Sequence, residues 1–277
     1  MSVRKKTVLR DKDESVVLEN AAEQAALIAY RDELNRIAHA LSTANPDAVA
    51  SVVAEGTTPD AIESFIDSNT EKRFQLLAKL LEFVEPAFKD FEHLLSHYVV
   101  DVPYRALASP SEDADHFLTW LTDHKTLKPK QSDYVACQQA RFAVEARARR
   151  HRIDHIHFQD LWTLVEQLAP EFGENAELNI RINPIHVWTR FETRTLLAGA
   201  ARAPADVIFF AVGSGISSAV PSPHAAAVIR QLTEWAPCTR EEWFTHRAIA
   251  DDTLDTPPAA LDELCRELAK LGLVAFE

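Results

Sequence analysis

The apolar residues of this chain change their spacing once, near Pro170, and that change limits what it can fold into. Before it they recur at helical intervals: Leu27, Leu34, Ile37 and Leu41 first, then a stripe from Leu77 to Leu95 interrupted at Pro86. Thr58-Pro59-Asp60 starts a predicted helix over Asp60–Asp67, and a capping box at Ser109-Pro110-Ser111-Glu112 launches another. Further helices are expected from Gln131 to about Arg152 and over Phe158–Leu168. After Pro170 the period becomes two. Leu178, Ile180 and Ile182 alternate with polar residues, and Val187–Thr195 is rich in β-branched and aromatic side chains.

A loop over Ala198–Ala205, a buried strand over Asp206–Val212, a turn at Gly213-Ser214-Gly215 and a short strand over Ile216–Val220 follow. Three helices with start signals at Ser222-Pro223, Thr239–Glu242 and Thr256-Pro257 complete the chain, the last stopping at Gly272. The expected fold class is α+β: an N-terminal all-helical domain followed by a small winged-helix-like α/β domain. The boundary is placed near Glu171–Asn175, which divides the chain into a helical extension (1–70), a helical domain (71–172) and the α/β domain (173–277).

A net charge of −13 over 277 residues opposes long-range attraction to phosphate backbones and anionic lipid, so neither nucleic acid nor membrane is an expected partner. Cys137, Cys238 and Cys265 form no CxxC spacing, which favours a reducing, cytoplasmic location. The basic start Met1–Arg10 is followed by charged residues rather than an apolar segment.

Signatures of catalysis are scarce. The Gly213-Ser214-Gly215 turn lacks the further glycines and lysine of a phosphate loop, and neither GxSxG nor HExxH occurs. His151, Asp154, His155 and His157 lie within seven residues, which makes them a metal candidate; Arg147, Arg149, Arg150 and Arg152 place positive charge where a cation would sit. The plainer reading is a basic helix end that complements the helix dipole. Cys238 precedes a helix start that would stabilise a thiolate, with no adjacent histidine to act as its base. No catalytic and no metal residue is therefore assigned. The Arg141–Arg152 segment is either an ion-pair ladder through Arg141, Glu145 and Arg149 or an interface for an acidic partner. The third terminal helix carries Asp262, Glu263 and Glu267 against Arg266 and Lys270, an unfavourable sign for reading DNA.

The segment Asp206–Glu277 resembles the PqqD-like precursor-recognition modules of ribosomal peptide modification systems. The likeness rests on its strand order, the Ser222-Pro223 and Thr239-Arg240-Glu241-Glu242 helix starts, and the leucine pattern from Leu261 through Leu264 and Leu268 to Leu271-Gly272-Leu273-Val274. Glu71–Val99, His116–Leu121, Asp133–Arg149 and Ile180-Arg181-Ile182-Asn183-Pro184 look like partner subunits of multinuclear non-haem iron oxygenases of the methanobactin and thiaglutamate type. The resemblance spans roughly residues 71–277. It implies a non-catalytic partner that binds a ribosomally made precursor peptide and presents it to an iron-dependent TIM-barrel oxygenase acting on cysteine. Iron would belong to the oxygenase, with no cofactor in this chain. Residues 71–172 would dock the oxygenase, with Arg141, Arg149 and Arg152 at the interface. Ile216, Ser217, Ser218 and Ala219 would offer a free strand edge to the peptide, with Arg266 and Lys270 nearby. The alternatives are a winged-helix DNA-binding regulator and a metalloenzyme built on the His151–His157 cluster.

Overall fold

The computed structural model of the chain describes residues 24–37, 39–41, 45–53, 56–103, 109–172, 174–175, 177–197, 201–249 and 257–277. The first residues of the expected Ala198–Ala205 loop and the Thr256 start signal lie outside the described residues. The chain is a mixed α+β protein whose contacts divide it into two compact units. One holds the described residues up to Glu82 together with Asp90–Trp120; the other holds Phe83–Lys89 together with Leu121–Glu277.

The first unit is helical: α1 (residues 24–37), α2 (Pro46–Ala50), α3 (Pro59–Leu80), α4 (Phe91–Asp101) and α5, which starts at Pro110. The Thr58 hydroxyl caps α3 through the Ala61 N–H, with Pro59 in the first turn. The helix expected over Asp60–Asp67 runs on into the start of the Leu77–Leu95 stripe as one element, because no proline or glycine interrupts Asp67–Leu77. The capping box that starts α5 is formed in both directions between Ser109 and Glu112. Arg73 of α3 joins the helices: it makes a bidentate pair with the buried carboxylate of Asp113 at 2.8 Å and donates to the Val99 and Val102 carbonyls that end α4. The Tyr98 hydroxyl lies 2.9 Å from Asp113 Oδ1 and 2.8 Å from His116 Nδ1. With these hydrogen bonds in place, the cost of desolvating the pair is offset by its partners.

The second unit is built on two three-stranded antiparallel sheets. Its elements are a 3₁₀ turn at Glu85–Ala87, α6 (Pro129–Arg150), α7 (Arg152–Trp162), α8 (Val165–Leu168), β1 (Asn179–Ile182), β2 (His186–Phe191), β3 (Ala205–Val212) and β4 (Gly215–Ala219). They continue with α9 (Pro223–Trp235), β5 (Cys238–Thr239), α10 (Arg240–Ile249), α11 (Pro258–Lys270) and β6 (Val274–Phe276). Strand orders are β5-β1-β6 and β2-β3-β4.

β3 is buried on both faces, which explains its unbroken apolar run. Val207, Phe209 and Ala211 pack against Cys137, Ala140 and Val144 of α6, whereas Ile208 and Phe210 enter the main core with Val228, Ile229 and Trp243. The stripe of α6 continues into polar residues at both ends. Asp133 accepts from the Glu192 and Thr193 N–H groups just beyond β2, and Arg147 donates to the His186 carbonyl at its start. From residue 133 to 147 a helix rises about 21 Å, and from 186 to 193 a strand advances about 23 Å. The helix therefore spans the strand and clamps both its ends. Taking the Glu192 and Thr193 amides also stops β2 at Phe191, short of the expected Thr195.

This packing corrects the expected boundaries at residues 70 and 172–173. α6 was assigned to a helical docking domain, yet its apolar stripe covers the second sheet and places it with the α/β unit. His151, at φ −109° and ψ 42°, separates α6 from α7, so the expected helix over Phe158–Leu168 begins earlier and ends in the separate α8.

The two sheets meet at Asn183, which is fully buried. Its amide nitrogen donates to Ala211 O of β3 at 2.8 Å and to Gly272 O, between α11 and β6, at 2.9 Å. Its side-chain oxygen accepts from Ile185 N at 2.9 Å, and its own N–H donates to Leu273 O. Gly272 closes α11 in a Schellman arrangement, with Gly272 N bonded to Ala269 O and Leu273 N to Leu268 O. Its φ of +83° disfavours any side chain, and an added Cβ would stand 2.9 Å from Val212 Cγ2.

Asn183→Ala is expected to lower unfolding stability by roughly 2–5 kcal/mol, because two buried carbonyls and one N–H lose their partner together. Denaturant titration checks this, and a loss below about 1 kcal/mol would mean those groups find other partners. His186 is also buried; its Nδ1 donates to the Asn183 carbonyl at 2.6 Å. Burial first, and then the neighbouring Arg147 charge, hold its pKa below the ordinary 6.5 despite that hydrogen bond. Neutral His186 is the form the fold favours, so its contribution is present above pH 6.5 and lost as pH falls. Melting temperature should drop between pH 7.5 and 5.5, and less so in His186→Gln, which does not titrate.

Candidate functional site

β4 forms the edge of the second sheet, pairing with β3 alone among the described residues. The hairpin register fixes which of its backbone groups are free. Gly213-Ser214 is a two-residue turn, so Val212 and Gly215 exchange hydrogen bonds, as do Phe210 with Ser217 and Ile208 with Ala219. The intervening pairs, Ala211 with Ile216 and Phe209 with Ser218, do not. The bond from Ala211 N to Ile185 O confirms this alternation, since it sends Ala211 away from β4. The N–H and C=O groups of Ile216 and Ser218 therefore point outward from the sheet. Gly213 adopts φ +56°, and its N–H is held by the Gln159 side chain at 2.8 Å, which ties the hairpin to α7.

Beside this edge lies a groove of about 340 Å³. β3 contributes Val207 and Phe209, β4 contributes Ile216 to Ala219 with Val220 following it, and the opposite side is formed by Phe83, Leu196, Leu197 and Arg141. The side chains of Ile216 and Ser218 lie on the same sheet face as Ala211 and Phe209, the face turned toward α6. Arg141 is the charged residue of the lining. It stands 5.9 Å from the Phe83 ring centroid, and among the described residues it meets no carboxylate. The Arg141–Glu145 rung of the expected ladder is thus not formed.

The other residues singled out in the sequence go elsewhere. Arg149 lies in the last turn of α6 and Arg152 begins α7, more than two helical turns from Arg141, near the exposed side chains of Ile153 (83% exposed) and Ile156 (49%). The expected trio of partner-binding arginines is therefore split between the groove and the α6–α7 junction. Arg266 and Lys270 do not line the β4 groove. Arg266 donates to the carbonyls of Ala169 and Phe172 and holds α11 against the end of α8, and Lys270 pairs with Glu267 at 2.7 Å. These two residues are corrected to structural and surface positions, because α11 packs on β6 and α8 instead of reaching β4.

His151 is exposed and lies 3.6 Å from Asp154; among the described residues no group of three His, Cys, Asp or Glu side chains is placed to hold a metal ion. Cys238 lies inside β5, where burial and then Glu242 push its thiol up to about 11, which argues against a thiolate at that helix start. Cys137, at the groove, is pushed up to about 11 by burial, with Arg141 opposing. The groove residues that sequence reasoning missed are Phe83, Leu196, Leu197 and Phe209. Each reads as an ordinary core or loop residue until the fold brings them together. Among the described residues no helix is long and apolar enough to cross a membrane.

Comparison of the chain with protein-family models, with curated proteins and with solved structures gives no match.

With all three thiols buried and raised, iodoacetamide at pH 8 should leave the native protein unlabelled over a period that fully labels it in guanidinium. Mass spectrometry showing rapid native modification at Cys137 would mean the groove opens far more widely than its packing implies.

Proposed function

We propose that this chain is a peptide-binding partner protein, which receives a ribosomally made precursor peptide as an added strand on β4 and presents it to an iron-dependent oxygenase acting on cysteine. The observation that carries this reading is the outward-facing backbone of Ile216 and Ser218 opening beside a groove walled by Phe83, Leu196, Leu197 and Phe209, with Arg141 and Ser218 as its polar groups. Strand addition satisfies those groups with main-chain hydrogen bonds, while a groove on one face selects alternate side chains of the guest. The order α9, β5, α10, α11, β6, with β1 supplying a third strand from upstream, supports a winged-helix-like recognition module. Iron and its chemistry would reside in the oxygenase.

In this reading the docking surface for the oxygenase is the α6–α7 junction, where Arg149 and Arg152 flank Ile153 and Ile156. Exposed apolar side chains ringed by arginine suit an interface with an acidic partner. Reading of DNA by α11 is disfavoured, because its two cations are occupied: Arg266 donates to the Ala169 and Phe172 carbonyls and Lys270 pairs with Glu267.

Ser218→Pro removes an outward N–H without breaking a bond to β3. It is expected to weaken binding of the precursor peptide at least tenfold by ~1.4 kcal/mol or more, with the melting temperature little changed. Calorimetric titration with the precursor peptide measures this, and unaltered affinity in a folded Ser218→Pro variant would move the peptide off this edge.

A further inference from the structure

The groove beside β4 also constrains which extended segments fit. Building on the strand-addition reading, we infer that the site selects a peptide with large apolar side chains at alternate positions and an aspartate or glutamate that meets Arg141.

The geometry dictates the pattern. A guest strand bonded to the backbone of Ile216 and Ser218 must send every second side chain to the sheet face that Ile216 and Ser218 share. On that face it meets Val207 and Phe209 of β3 and the side chains of Phe83, Leu196 and Leu197 across the groove. The Phe83, Leu196, Leu197, Val207 and Phe209 side chains offer no hydrogen bond, so a serine or asparagine set against them, away from the Ser218 hydroxyl and Arg141, would be desolvated without compensation. At about 340 Å³ the groove is near the lower end of the range for small-ligand pockets, and it fits a few side chains but no folded domain. The intervening guest residues face away from the groove and carry little selectivity.

Charge complementarity fixes the remaining position. Arg141 is exposed at the groove, meets no carboxylate among the described residues, and has the Phe83 ring beside it. A guanidinium so placed can bind a carboxylate in two-pronged fashion while the ring covers one side. The net charge of −13 on the chain makes this local cation the more discriminating, since an acidic guest is repelled elsewhere and drawn here. The occupant is thus an extended acidic-apolar peptide.

The test is selection from a randomised library of short linear peptides on the full-length chain, run in parallel on the wild type, Arg141→Glu and Ser218→Pro. The wild type should enrich apolar residues at every second position with an acid beside them. Arg141→Glu should exchange that acid for lysine or arginine, with affinities for a matched acidic and basic pair reversing by on the order of tenfold each way. Ser218→Pro should abolish enrichment. Peptides lost with Ser218→Pro but indifferent to Arg141→Glu would overturn this specificity and leave strand addition standing. Enriched peptides that bind Ser218→Pro as well as they bind the wild type, or no enrichment at all, would overturn both. Arg141 is exposed and makes no ion pair among the described residues, so its reversal should leave the fold intact, and circular dichroism of each variant verifies that.

Discussion

The second unit depends on one buried amide. Asn183 follows β1 of the first sheet and precedes β2 of the second, and its side chain bonds β3, the α11–β6 turn and its own chain two residues on. A buried amide is costly unless its donors and acceptor are used, and here both hydrogens and the oxygen are. The bonds are therefore directional constraints as well as sources of stability. They hold Ala211 in place, and Ala211 sets which residues of the hairpin turn toward β4 and which turn away. The outward edge at Ile216 and Ser218 is a consequence of that register.

A second constraint is the clamp of α6 on β2. Asp133 and Arg147 hold the two ends of the strand, and the apolar residues between them cover one sheet face. The same helix brings Cys137 and Arg141 to the groove, one helical turn apart. Helix and groove are thus positioned by the same packing. Among the described residues the outer side of β4 stays unpaired, because α6 covers the sheet face near β2 and β3 and not the far side of β4.

Much of this was legible in the chain, and the reasons are local. Prolines and capping hydroxyls are read directly by the backbone, so the starts of α3, α5, α9 and α10 fall where Thr58, Ser109, Ser222 and Thr239 place them. The β3–β4 hairpin was equally clear, because a buried apolar run meets glycines at a tight turn. What escaped was non-local. Cys238–Thr239 and Val274–Phe276 become strands only because β1, far upstream, lies between them, and no short-range pattern announces that pairing. The assignment of α6 to a separate domain failed for the same reason: a basic composition hides an apolar stripe whose partner comes some 50 residues later. Arg266 is expected near a bound peptide, yet its guanidinium donates to carbonyls about 95 residues away. Charge alone does not reveal whether an arginine is spent inside the fold.

The central claim is that the β4 edge is open and takes a guest strand, and amide hydrogen exchange resolved residue by residue along β4 tests it most directly. In the protein alone, Ile216 and Ser218 should exchange quickly while Ser217 and Ala219 are protected by β3; with bound precursor peptide, the fast pair should slow. Uniform protection in the free protein, or no change at Ile216 and Ser218 when peptide is bound, would contradict the account.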